Sequence, residues 1–267
     1  MGELLALASC WLRHRQVRRA AAFVALSTVA VLSLVGWRVV ADGGRHGAVA
    51  HAPVPAAQLV VGHRYVLVPW IVLTLLAVGV AGSVASSDAA YGLTASVAVR
   101  RPGLGRSLAR QVLAAAMAAM VWFALAAWSV VLAAAVVLVA LGRGGGVDAA
   151  LLVTGLRIVL RLDLVVGLLS LASVTLGLAL PTSALPAVAV PVLVLIAEVA
   201  LQLLTGGRAA LVPGGSLAVL AVGSDALGHG MAPPWVAVAV PVAVAITAPA
   251  VASIGIAVIV RLRPPPS

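Results

Sequence analysis

The chain is 267 residues long, 63% apolar and only 9% charged, with a formal net charge of +10 and a mean hydropathy of +1.20. A water-facing domain needs charged groups over much of its exterior, so this composition excludes an ordinary soluble fold and places the chain in a bilayer. All 17 basic residues are arginine and lysine is absent.

A helix that crosses about 30 Å of hydrocarbon takes roughly 20 mainly apolar residues, because only an internally hydrogen-bonded backbone survives without water. Residues 1–19 come first, with Leu4, Leu7, Ala8 and Trp11 at helical spacing before Arg13, Arg15, Arg18 and Arg19. That pattern suits an interfacial helix in the headgroup layer, the alternative being a disordered basic flank. The apolar core that follows is longer than a signal peptide's and lacks a persuasive small-residue cleavage site, so it reads as an uncleaved anchor. Cys10 is the only cysteine, which excludes a disulfide or a cysteine-based zinc cluster within one chain. Palmitoylation of Cys10 or a plain apolar role are its two readings.

Spans are expected at about residues 20–40, 65–84, 112–141, 164–180, 184–204 and 236–260. None shows the every-second-residue polarity of barrel strands, so the fold class is an all-α membrane protein. His46, His51 and His63 in the first external loop, like Asp225 and His229 in the last, lack a recognised metal spacing and read as solvated groups. Leu151 to Asp163 places Arg157 and Arg161 four apart among leucines, as in an external interfacial helix leading into the fourth span. Pro181, Thr182, Ser183 and Pro186 divide the fourth span from the fifth. Residues 211–222 are too short to cross and are interrupted by Pro213, Gly214 and Gly215, which suggests a re-entrant or interfacial segment on the external side. Pro186, Pro191, Pro241 and Pro249 are candidate kinks in the last two spans. Gly79, Gly82, Gly167 and Gly177 permit close helix approach.

Six crossings put both termini on one side. With the termini and the 86–110 loop in the cytoplasm, ten arginines lie inside and seven outside, and the four beside the first span set the direction. The positive charge then serves topology and attraction to anionic membrane lipids, and no basic face interleaved with aromatics points to nucleic acid.

Absences narrow the chemistry. Without lysine the chain holds no phosphate-loop ATPase motif and no Schiff-base lysine, and it contains neither HExxH nor GxSxG. No catalytic site is expected, and no cofactor is expected on this chain. Glu198 is the only acid deep in an apolar run, a default suspect for the translocation pathway with Gln202 one turn away. A buried packing contact with Arg157, Arg161 or Arg208 is the competing reading of Glu198.

The loop between the second and third spans reads SerAspAlaAlaTyrGlyLeuThr over 87–94 and ArgArgProGlyLeuGlyArgSerLeuAlaArg over 100–110. Here the chain resembles the type-2 ABC export permeases, whose corresponding loop carries an acidic residue, a Gly-Thr-like element, a short helix, a Pro-small-Arg turn and a basic residue opening the next span. Asp88 stands where that family usually has glutamate. Gly92 and Thr94 stand for its Gly-Thr, with Leu93 inserted, and Pro102, Arg106 and Arg110 stand for the later elements. The resemblance implies a single permease domain over 1–267 and a cytoplasmic coupling helix over 89–99, within the loop 86–110, that docks into a separate ATP-binding subunit, with Tyr91 and Leu93 as apolar contacts. It further implies ATP and Mg on that partner, a second permease chain as homodimer or heterodimer, and export of an amphiphile such as a drug, antibiotic, lipid or peptide. Abundant alanine, valine and glycine with arginine in place of lysine suggests a high-GC bacterial genome and hence a bacterial plasma membrane. A proton-gradient-driven carrier using Glu198 and a nontransporting membrane scaffold are the alternatives from other classes.

Overall fold

The computed structural model describes residues 64–90, 104–140, 149–180, 185–204, 215–222, 235, 237–248 and 250. Every element among them is a helix: α1 Arg64–Ala90, α2 Leu104–Ala140, α3 Ala149–Ala179, α4 Leu185–Leu204, α5 Gly215–Val222 and α6 Ala237–Ala248. Three of these carry stretches long and apolar enough to cross a membrane, Trp70–Ser87, Ala109–Ala133 and Leu152–Ala179. The interfacial helix expected over 1–19 and the span over 20–40 lie outside the described residues.

The surface confirms the solvent. Leu125, Val136, Leu164, Leu203 and Ile246 are all about two-thirds exposed or more, an apolar exterior that water would not tolerate over so many helices and that lipid accepts. The protein is therefore a membrane-embedded helical bundle. Several hydroxyls obey the same constraint by bonding within their own helices, as Thr74 Oγ1 does to the Trp70 carbonyl at 2.8 Å and Thr175 Oγ1 to the Leu171 carbonyl at 2.7 Å.

Close contacts fix the register of the helices. A Cβ built on Gly177 would run into the Gly82 carbonyl oxygen, and Ser86 Oγ donates to the Leu180 carbonyl at 2.9 Å, so α1 and α3 run parallel with their C-terminal ends side by side. Gly155 faces Val131 and Gly167 faces Met120, so α2 runs antiparallel to both. Small residues let the backbones approach this closely, which matters where dispersion rather than water drives helix association. With this register, the backbone positions of Arg64, Arg157 and Arg161 share one end of the bundle, and Asp88, Arg106 and Arg110 share the other.

Two apolar clusters fill the interior. One joins α1, α2 and α3 around Trp70, Trp122, Phe123, Ile158 and Leu162. The other joins α3, α4 and α6 around Leu169, Val190, Val194, Val240 and Val244. Helix α5 belongs to both, giving Leu217 to the second and Ala218 and Ala221 to the first. The segment expected to be re-entrant or interfacial thus contains an eight-residue helix packed on α1 and α3 in the interior.

Two boundaries differ from the expectations. Helix α3 is continuous through Leu151–Asp163, with no separate interfacial helix, because no proline interrupts Ala149–Ala179 and its two arginines occupy exposed positions that leave the core face apolar. Helix α1 continues to Ala90, so Ala89 and Ala90 end α1 and do not begin a coupling helix. Ser87 Oγ bonds the Val84 carbonyl at 2.8 Å within that last stretch, and no breaker precedes Tyr91.

Candidate functional site

Glu198 sits about 20 Å along α4 from Leu185 and is fully buried, at 0% exposure. The flanking sequence explains its position. Val190 and Val194, two turns and one turn before it, are also fully buried in the second cluster, so the helical period carries Glu198 onto the same inward face. Pro191 is tolerated inside α4 because neighbouring groups can satisfy a freed carbonyl in a packed bundle.

Ser216, in the first turn of α5, donates its backbone N–H to Oε1 of Glu198 at 2.9 Å, and its hydroxyl donates to the same oxygen. The first backbone N–H groups of a helix have no partner within the helix. A carboxyl group placed there satisfies one of them and meets the positive end of the helix dipole. Glu198 is therefore a tertiary cap that joins α4 to α5. Hydrogen-bonding to groups of this kind contributes about 1.5 to 3 kcal/mol when a charge is involved.

Sequence reasoning found Glu198 and missed Ser216. The signal that could have found it is Ser216 itself, a helix-capping residue type following Pro213, Gly214 and Gly215 and opening an apolar run. Of the arginines considered as partners of Glu198, Arg157 and Arg161 lie at exposed positions on α3, and Arg208 lies outside the described residues. Gln202 lies in α4, one turn beyond Glu198.

Other buried polar groups lie within the bundle. Ser170 and Ser173 of α3 are fully buried, and Ser170 Oγ has no hydrogen-bond partner among the described residues. The indole N–H groups of Trp70 and Trp122 are likewise buried without a described partner. Among the described residues no cluster of histidine, cysteine, aspartate and glutamate could hold a metal ion.

The second candidate is the segment between α1 and α2. Asp88 lies in the last turn of α1, and Arg106 and Arg110 lie in the opening turns of α2, with Arg110 exposed. Tyr91, Gly92, Leu93, Thr94 and Pro102 lie outside the described residues. The described helices bring both ends of this segment to the one end of the bundle where Gly82 and Gly177 pack backbone to backbone. No family model, curated protein or solved structure matches the chain.

Proposed function

We propose that this chain is the membrane-spanning permease subunit of an ATP-driven exporter, with six spans in a bacterial plasma membrane and both termini in the cytoplasm. A separate ATP-binding subunit, carrying ATP and Mg, docks on the segment from Asp88 to Arg110, and a second permease chain completes the pathway. The cargo is an amphiphile: a drug, antibiotic, lipid or peptide.

The observation that carries this reading is mechanical. The docking segment joins two membrane-crossing helices directly, with Asp88 on one and Arg106 and Arg110 on the other. Both helices pack on α3, and the α1 end is tied to it by the Gly82 to Gly177 approach and the Ser86 to Leu180 bond. A displacement applied at the ends of the segment therefore bears directly on packed helices. Packed interfaces respond to such a push by changing between discrete arrangements. The charged residues that bracket the segment supply the polar contacts of a soluble partner, and the absence of lysine leaves ATP hydrolysis to that partner.

The test is co-purification of an ATP-binding subunit with the wild-type chain, abolished by Tyr91→Ala or Asp88→Arg while the variants remain in the membrane at normal abundance. Unchanged capture by both variants contradicts the docking site. The buried carboxyl of Glu198 favours a second reading, a proton-linked secondary carrier. Transport that persists without ATP and collapses with the proton gradient selects that reading.

A further inference from the structure

The outward face of α3 carries Leu160, Leu164 and Leu171, all exposed, in one line along the helix. Arg157 and Arg161, one turn apart and both exposed, stand on the same side, flanking Leu160 and above Leu164 and Leu171. Counting 1.5 Å per residue from Ala179, Arg161 lies about 27 Å and Arg157 about 33 Å up the helix. That is where about 30 Å of hydrocarbon ends if the opposite boundary lies at the α3 C-terminus. Neither guanidinium forms an ion pair with a described residue, and Asp163, the nearest acid in sequence, keeps Oδ1 buried and without a described hydrogen-bond partner. Two positive groups therefore stand on the exposed face of α3 toward its N-terminal end, with no described acid paired to them.

We propose that Arg157 and Arg161 form a binding site for the headgroup phosphate of an anionic phospholipid, whose acyl chain lies along Leu160, Leu164 and Leu171. Guanidinium presents a rigid fork of donors that matches phosphate oxygens. The aliphatic stems of both arginines cover the apolar surface beneath, so the charged ends project to the boundary. Charge complementarity selects an anionic lipid over a zwitterionic one, and the aligned leucines select a lipid over free phosphate. This site is independent of whether the chain exports anything, since it requires only that α3 spans the bilayer.

Native mass spectrometry of the detergent-purified full chain with equal amounts of phosphatidylglycerol and phosphatidylcholine tests the site. The wild type is expected to retain phosphatidylglycerol preferentially, and the double variant R157Q/R161Q to lose that preference. R157K/R161K keeps the charge and is expected to retain part of the preference, and millimolar inorganic phosphate is expected not to displace the lipid. A wild-type preference surviving in R157Q/R161Q overturns the site, as does displacement by inorganic phosphate. Loss of a dimer peak in R157Q/R161Q without any change in lipid retention assigns the face to a second copy of the chain and also overturns it.

Discussion

Ser216 donates both its backbone N–H and its hydroxyl to one carboxyl oxygen of Glu198, so a single fully buried side chain closes the N-terminus of α5 and joins it to α4. Because α5, like α1 and α3, contributes to both apolar clusters, this bond holds an element that packs into both halves of the interior.

Removing the carboxyl should therefore cost more than removing the hydroxyl. Ser216→Ala deletes one donor and leaves the backbone N–H bonded, an expected loss of about 1 kcal/mol. Glu198→Ala strands the N–H in a dry interior and leaves a cavity, an expected loss of about 3 kcal/mol. Glu198→Gln keeps an acceptor oxygen and should fall near the Ser216→Ala value, with membrane abundance near normal and, on the exporter proposal, weakened export. Thermal unfolding in detergent measures the series, and a coupling of about 0.5 to 3 kcal/mol between positions 198 and 216 is expected from the double-mutant cycle. Additive losses at the two positions contradict the cap.

Gly177 and Gly167 should respond very differently to the same methyl group. A Cβ at Gly177 runs into the Gly82 carbonyl and meets the Ser86 nitrogen at 3.0 Å, backbone atoms that cannot yield without moving α1 from α3. Gly177→Ala is expected to cost about 3 kcal/mol and to lower the yield of monodisperse protein. A Cβ at Gly167 meets Met120 Sδ at 2.8 Å, the far part of a flexible side chain, and Gly167→Ala should cost about 1 kcal/mol or less. Size-exclusion profiles after stepwise heating separate the two, and equal tolerance contradicts the close α1 to α3 approach.

Trp70 offers a test of the interior that inverts the usual expectation. Its ring is 1% exposed in the first cluster, and its indole N–H has no described partner. Trp70→Phe removes the stranded donor while keeping an aromatic ring, so stability should change by less than about 1.5 kcal/mol in either direction. Trp70→Ala removes the packing and should cost about 3 to 5 kcal/mol. A Trp70→Phe variant as unstable as Trp70→Ala shows that the N–H is bonded after all.

The helical, membrane-embedded class was legible from composition, because an apolar content this high leaves few ways to satisfy a backbone away from water. Glu198 was legible as the one acid in an apolar run, but its bond to Ser216 was not. The two residues are 18 apart in sequence, and their meeting depends on α5 turning back among α1 and α3. The glycines were legible as small residues, while the pairing of Gly82 with Gly177 follows from the parallel register of α1 and α3, which no local pattern encodes. Arg157 and Arg161 led to the expectation of a separate interfacial helix. Two charges on an exposed face do not interrupt a helix whose opposite face remains apolar.

The side of the membrane that Tyr91 faces bears most directly on the docking of an ATP-binding subunit. Cys10 is the only native cysteine, so a Cys10→Ser background carrying Tyr91→Cys provides a single thiol, to be labelled in intact cells with a membrane-impermeant maleimide. Protection in intact cells with labelling after permeabilisation is the expected result. Full labelling from outside, before the membrane is opened, contradicts the docking assignment and the exporter reading with it.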